Sequence, residues 1–131
     1  MAAAEDYPEG LKYHAEHDWA RIEGDEATLG VTWFAQDALG ELVHFEAPAD
    51  GGSTTKDASY GEVESVKAVS DVIAPLSGEI IEVNEQATDG PELINDDPYG
   101  AGWLVRIRMS DPSELDGLLD ASAYKAELAS Q

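Results

Sequence analysis

The segment EVESVKAVSD, residues 62–71, places one lysine, Lys67, among acidic and apolar residues. Lys67 is the only basic residue between Lys56 and Arg106, in a chain whose formal charge is -21 at pH 7. Such a lysine could be a nucleophile, a point of covalent attachment, or a charge that merely relieves repulsion. Exposed ion pairs contribute about 0–1 kcal/mol each, so relief of repulsion alone would add little stability.

The carboxylates around Lys67 argue against nucleophilic catalysis. If they lie near Lys67, Glu62, Glu64 and Asp71 would favour the charged ammonium, whereas a Schiff-base lysine needs a pKa lowered by desolvation or by a nearby cation. The sequence shows no set of nucleophile, base and orienting group elsewhere. It also has no cysteine, so sulfur redox chemistry would have to come from an attached group. An amine used as a tether fits these observations best.

The composition predicts one folded domain over residues 1–131, with residues 1–9 as a flexible leader. Apolar residues make up 43% of the chain. A pI near 4.1 argues against binding to nucleic acid or to an anionic membrane surface, and favours a monomer that docks on basic patches. Because no signal peptide, transit peptide or membrane-spanning run is recognisable, we expect a cytoplasmic location.

The elements around Lys67 predict a β-hairpin. Residues 61–66 and 71–76 are strand-like and flank the segment KAVS, which puts Lys67 at the tip of the hairpin or beside it. A short helix is predicted over residues 33–39, capped by Thr32 and ended by Gly40. Further strands are predicted at residues 18–23, 28–31, 41–46, 78–85 and 103–109.

The remaining segments predict loops and terminal helices. Residues 87–100 resemble a loop with one helical turn, and Asp111 to Glu114 form a capping-box pattern before two short helices, the second capped by Asp120. The fold class is therefore mainly β: a flattened β-barrel or sandwich with one short internal helix and C-terminal helices.

The segment ESVKAVSDVIAPLSGEIIEVN resembles the lipoyl-attachment segment of the H proteins of the glycine cleavage system. The blocks at residues 11–19, 28–43 and 91–108 resemble further segments of that family in the same order. Biotin carriers usually have Met on each side of the lysine, and lipoyl domains of 2-oxoacid dehydrogenases usually have Asp before it. Here Val66 and Ala68 flank Lys67, as in the H proteins.

The resemblance implies a barrel-sandwich carrier without an active site of its own. Lys67 would carry (R)-lipoate through an amide bond made by a lipoate-attaching enzyme. A pyridoxal-phosphate glycine decarboxylase would load an aminomethyl group on a lipoyl sulfur, and an aminomethyltransferase would pass it to tetrahydrofolate. A dihydrolipoamide dehydrogenase with FAD and NAD would reoxidise the dithiol. The attachment hairpin would comprise Lys67 with Glu64, Ser65, Val66, Ala68 and Asp71.

The resemblance also points to a cleft that holds the loaded arm, lined by His17, Asp18 and Asp71. The family often has Glu where Asp18 stands. The pair His14 and His17 is spaced like metal ligands but lacks a third ligand at a useful spacing, so no metal site is predicted. Trp19 is expected in the core.

Three alternatives remain open from the sequence. The chain could be a relay that hands lipoyl groups to other proteins, or a biotin carrier, which the residues beside Lys67 disfavour. It could also be an unmodified interaction module that has kept the fold, although the lone flanked lysine argues against this.

Overall fold

The computed structural model describes residues 5–48 and 52–130. Nine strands are present in these ranges: β1 Lys12–His14, β2 Asp18–Glu23, β3 Glu26–Val31, β4 Leu42–Glu46, β5 Ser53–Thr54, β6 Ser59–Ser65, β7 Val69–Ile73, β8 Gly78–Val83 and β9 Val105–Met109. The helices are α1 Trp33–Leu39, α2 Glu85–Asp89, α3 Glu92–Asp96 and α4 Ala121–Ala129, with a 3-10 helix at Pro112–Gly117.

The strands form two antiparallel sheets. The larger has the order β1-β2-β3-β9-β8-β5, and the smaller has the order β4-β6-β7. Apolar side chains from both sheets make one core, for example Leu29 and Ile107 from the larger sheet and Phe45, Val63 and Val72 from the smaller. The predicted fold class, mainly β with a sandwich-like arrangement, is confirmed.

The predicted hairpin is formed by β6 and β7. Glu62 lies opposite Asp71 and Glu64 lies opposite Val69. β7 begins two residues before the predicted start, so the connection is short and contains only Val66, Lys67 and Ala68. The alternation of polar and apolar residues turns Val63 and Val72 into the core and leaves the carboxylates of the hairpin outside.

The helix α1 has the ends that its sequence predicts. The hydroxyl oxygen of Thr32 accepts a hydrogen bond from the backbone N–H of Ala35, which satisfies a free donor of the first turn. Gly40 ends the helix with φ 87° and ψ -160°, a backbone conformation that is open essentially to glycine alone. This helix end is therefore fixed by residue type.

Several predicted details are wrong. The segment 87–100 is not a loop with one turn, because it contains most of α2 and all of α3, helices of five residues each. The first C-terminal helix, which was predicted without a helix type, is a 3-10 helix. Its capping box is half formed: Asp111 accepts from the backbone of Ser113, but Glu114 accepts instead from the backbone and hydroxyl of Ser77.

A second cluster of buried side chains joins the two ends of the chain. Tyr13 stacks on Tyr124 of α4 with ring centroids 4.8 Å apart, and Tyr7 meets Tyr124 edge-on at 5.4 Å. Tyr13 also donates a hydrogen bond to the carbonyl of Pro8. The leader predicted for residues 1–9 is described from Glu5 onward, and there Tyr7 is buried in this cluster. Residues 1–4 lie outside the described residues.

Candidate functional site

The tip of the β6–β7 hairpin is closed by Ser65, whose side chain is buried. Its backbone N–H donates to the carbonyl of Ala68 at 2.8 Å, and its hydroxyl oxygen accepts from the backbone N–H of Ala68 at 3.1 Å and of Lys67 at 3.3 Å. These bonds satisfy the donors of the turn and hold Lys67 at its apex. Val66 and Val69 beside it are 81% and 58% exposed, so the tip presents apolar surface around the lysine.

The side chain of Lys67 is exposed and extends over the end of α1. A Cβ built on Gly40 would stand 3.5 Å from Cε of Lys67 and 3.9 Å from Nζ. Asn95 of α3 fixes this helix end, because its Nδ2 donates to the carbonyl of Gly40 at 2.9 Å and its Oδ1 accepts from the backbone of Leu42 at 2.8 Å. No ion pair of Lys67 is found within the described ranges. Its amine is therefore accessible to solvent.

A groove of about 440 Å³ opens beside the hairpin, lined by Glu16, His17, Val69, Ser70, Asp71 and Ile73. The structure thus brings together two of the residues expected in the arm cleft, His17 and Asp71. His17 comes from the turn between β1 and β2, and Asp71 comes from β7. Both side chains are within one groove that begins two residues beyond Lys67 along the hairpin.

Asp18 is placed differently from His17 and Asp71. Its side chain is 2% exposed and does not line the groove. Burial raises the pKa of this carboxyl well above its ordinary value, although a hydrogen bond from the backbone of Ile73 lowers it in part. Because Asp18 begins β2 and Ile73 ends β7, the carboxyl joins the two sheets beneath the groove.

His17 is held by contacts on every side. Its φ of 77° is in the left-handed region, its N–H donates to the carbonyl of His14 at 2.9 Å, and its carbonyl accepts from Thr32 at 3.0 Å. The ring packs on Phe34 with centroids 4.5 Å apart, and Nδ1 lies 2.8 Å from the hydroxyl of Tyr124. Burial lowers the pKa of this imidazole, which favours its neutral form.

No sequence pattern indicates that Tyr124 belongs to the site. It lies on α4, 107 residues from His17 along the chain, and the local pattern of α4 suggests only a terminal helix. A signal for the contact would have required knowledge that α4 packs against the β1–β2 turn.

His14 and Trp19 have structural roles. His14 Nε2 lies 2.6 Å from a carboxylate oxygen of Asp57, and Nδ1 accepts from the backbone N–H of Glu16 at 3.0 Å. The hydrogen bond with His14 lowers the pKa of Asp57. Trp19 is fully buried and donates to the carbonyl of Pro98 at 3.0 Å, so its expected place in the core is confirmed.

Within residues 5–48 and 52–130 no cluster of three or more His, Cys, Asp or Glu side chains is arranged to hold a metal ion. In the same ranges no helix has the length and apolar character needed to cross a membrane.

The family model described as Glycine cleavage H-protein matches residues 11–131. The chain belongs to this family. A glycine cleavage system H protein of Symbiobacterium thermophilum is 51% identical over 119 residues, which cover 91% of this chain and 93% of the relative. A mitochondrial glycine cleavage system H protein of Flaveria pringlei is 52% identical over 116 residues, which cover 88% of this chain and 72% of the relative.

The fold agrees with the family. The crystal structure of a glycine cleavage system H protein from Mycobacterium marinum matches with a TM-score of 0.85 and 43% identity, covering 93% of this chain and 98% of that one. The resemblance noted in the sequence is therefore confirmed. As a glycine cleavage H-protein the chain belongs to a lipoate-bearing family, and it is a carrier component of the system rather than one of its catalytic enzymes.

Proposed function

We propose that this protein holds (R)-lipoate in amide linkage to Lys67 and carries the aminomethyl group of glycine between the enzymes of the glycine cleavage system. The observation that carries the proposal is the position of Lys67: its amine is exposed and without an ion pair among the described residues, at the apex of a hairpin closed by Ser65. Membership of a lipoate-bearing family supports lipoate as the group that this lysine would bear.

The other lysines of the chain occupy different settings, which supports selection of Lys67. Lys12 lies in the short strand β1, Lys56 precedes β6, and Lys125 lies within α4. A modifying enzyme that recognises a hairpin tip would find Lys67 alone at such a place among the described residues. Acylation removes the lysine's positive charge and leaves the acidic hairpin as the surface that partners meet.

When attached, the lipoyl dithiolane supplies the sulfur that accepts an aminomethyl group from a pyridoxal-phosphate glycine decarboxylase, yields it to a tetrahydrofolate-dependent aminomethyltransferase, and is reoxidised by a dihydrolipoamide dehydrogenase. The chain itself contributes the position of the attachment point. The hairpin holds the attachment point away from the core, and the exposed Val66 and Val69 give partner enzymes an apolar contact beside it.

The groove beside the hairpin is proposed as the resting place of the loaded arm. The amine of an aminomethyl group is cationic near neutral pH, and the exposed carboxylate of Asp71 in the groove would attract it. His17 lines the same groove. Asp18 lies beneath the groove and would contribute indirectly, because its carboxyl accepts a hydrogen bond from the backbone of Ile73 and so positions β7, the strand that carries Asp71. A groove wall on both sides of the arm would limit the access of water.

Release of labelled carbon dioxide from carboxyl-labelled glycine, by glycine decarboxylase in the presence of the lipoylated protein, tests the carrier role. Lys67→Arg keeps the charge and removes the attachment point, so it should support no release above background. Lys125→Arg makes the same change on α4 and should support full release. Equal release with Lys67→Arg and Lys125→Arg would overturn the proposal.

A further inference from the structure

The C-terminal helix α4 reaches the groove through one hydroxyl group. Tyr124 is fully buried, and its Oη lies 2.8 Å from Nδ1 of His17 and 2.9 Å from the hydroxyl oxygen of Thr32. Thr32 caps α1, and its hydroxyl oxygen also accepts from the backbone N–H of Ala35 at 3.3 Å. A chain of three side chains thus connects the cap of α1 to the groove-lining imidazole.

The protons in this chain can be arranged in two ways in which the buried Tyr124 hydroxyl also finds an acceptor for its own hydrogen. In the first, the Thr32 hydroxyl donates to Tyr124, the Tyr124 hydroxyl donates to Nδ1 of His17, and the His17 proton is on Nε2. In the second, Nδ1–H of His17 donates to Tyr124, and Tyr124 donates to Thr32. The first arrangement gives both buried hydroxyl hydrogens, that of Thr32 and that of Tyr124, an acceptor.

The second arrangement leaves the proton of the Thr32 hydroxyl without an acceptor. Thr32 is 0% exposed, and within the described part of the chain the only acceptor that hydrogen-bonds to the Thr32 hydroxyl is Oη of Tyr124. A buried donor without an acceptor is unfavourable, so the first arrangement should prevail. Tyr124 keeps its proton in either case, because burial raises the pKa of its phenol to about 12.

From this geometry we infer that Tyr124 is a positioning residue that holds His17 in the neutral tautomer protonated on Nε2, so that His17 presents an N–H donor to the groove. Among the described residues Nε2 has no hydrogen-bond partner of its own. Phe34 and the pinned backbone of His17 fix the orientation of the ring. The contact joins α4 to the turn between β1 and β2.

With this tautomer, His17 and Asp71 have different tasks in the groove. A neutral imidazole with Nε2–H can donate to an acceptor atom of a bound arm but cannot accept from its ammonium group. The cationic amine is thus left to the carboxylate of Asp71, and His17 holds a neutral part of the arm. The assignment of these two tasks rests on the proposed function, whereas the tautomer of His17 does not.

The tautomer can be measured on the unmodified protein with long-range nitrogen–proton NMR spectra of the histidine rings. His17 should have a protonated Nε2 and an unprotonated, hydrogen-bonded Nδ1. Tyr124→Phe removes the donor and should shift the Nδ1 resonance toward that of a free acceptor. The matched control is Tyr7→Phe, which removes a hydroxyl from the same aromatic cluster, where it contacts Glu5 rather than His17. It should leave the His17 resonances in place.

A protonated Nδ1 in the unmodified protein, or an unchanged Nδ1 resonance in folded Tyr124→Phe, would overturn the assignment. If Tyr124→Phe does not fold, the measurement on the unmodified parent protein still decides between the two tautomers. Neither result depends on lipoylation, so a failure of the carrier proposal would leave this test intact.

The role toward the arm has a separate readout. In the lipoylated, glycine-loaded protein, the Nε2–H resonance of His17 should shift relative to the unmodified protein, and Tyr124→Phe should reduce that shift. A protein that is lipoylated and loaded but shows no change at Nε2 would exclude His17 as a donor to the arm.

Discussion

Gly40 lies beneath the Lys67 side chain, where a Cβ would stand 3.5 Å from Cε and 3.9 Å from Nζ. The two residues come from different elements, the end of α1 and the tip of the β6–β7 hairpin. Their proximity places the attachment lysine against a helix end that Asn95 braces from α3. Two properties of the site can therefore be measured independently: the backbone conformation at Gly40, which only glycine adopts without strain, and the accessibility of Lys67.

Gly40→Ala should destabilise the protein by about 1–3 kcal/mol, because φ 87° with ψ -160° is strained for any residue with a Cβ. The extent of Lys67 lipoylation should remain complete in the folded variant, since a Cβ at 3.5 Å makes an ordinary contact. Urea unfolding and intact mass measure the two effects. Gly24→Ala, at φ 65° with open space around it, is the control and should cost less. Equal stability of Gly40→Ala and the parent protein would contradict the strained conformation.

Ser65→Ala should slow the lipoylation of Lys67 several-fold. The substitution removes the acceptor for the turn N–H groups of Lys67 and Ala68, at a cost of about 0.5–1.5 kcal/mol for each hydrogen bond lost. The tip would then sample other conformations. Ser70→Ala is the matched control, because the hydroxyl of Ser70 donates only to the carbonyl of the next residue. Initial rates with a purified lipoate-attaching enzyme compare the two. Identical rates would show that the turn bonds do not present the lysine.

Asp71→Asn should speed the loss of the aminomethyl group from the loaded arm when no other enzyme is present. An exposed ion pair is worth up to about 1 kcal/mol, so the rate should rise up to about fivefold, and added salt should reduce the difference. Asp116→Asn makes the same change at an exposed aspartate that does not line the groove, and it should leave the rate unchanged. Equal rates for both variants and the parent protein would remove Asp71 from the storage role.

Asp18 makes the stability of the protein depend on pH. Burial raises the pKa of Asp18 in the folded state above the value of about 3.9 expected in the unfolded chain. The folded state therefore binds the proton more tightly, and this contribution to stability is complete below the unfolded pKa and is lost as pH rises through the folded pKa. Asp18→Asn cannot ionise, so its stability relative to the parent protein should increase as the pH rises above about 4.

Urea unfolding of the parent protein and of Asp18→Asn across this pH range measures the difference. Asp116→Asn, an exposed aspartate, makes the same change in net charge and controls for general repulsion in the acidic chain. A difference between Asp18→Asn and the parent protein that stays constant with pH, or that matches the trend of Asp116→Asn, would contradict the shifted pKa.

The hairpin and α1 could be predicted because their information is local. Alternating polar and apolar residues determine which face of each strand is buried, and Thr32 and Gly40 determine the ends of α1. Lys67 could be singled out because its neighbours in the sequence are acidic or apolar. The short strands β1 and β5 and the helix α2 were missed, and α3 was predicted only as one helical turn, because so few residues carry little periodic signal. Their stability comes from tertiary contacts such as those of Asn95.

The groove was only partly predictable for a related reason. His17 and Asp71 could be named from the resemblance, but the burial of Asp18 depends on how β2 meets β7. The hydrogen bond between Tyr124 and His17 joins opposite ends of the chain, so no pattern within either segment reports it. Long-range packing, which a linear pattern does not encode, decides these details.

The central claim is that Lys67 bears the lipoyl group, and peptide mass mapping tests it most directly. The protein would be expressed with both lipoate and biotin supplied, and its intact mass and lysine-containing peptides measured. We expect one lipoyl adduct, confined to Lys67, with Lys12, Lys56 and Lys125 unmodified. A biotin adduct, a lipoyl group on another lysine, or no adduct despite active ligases in the same cells would contradict the account.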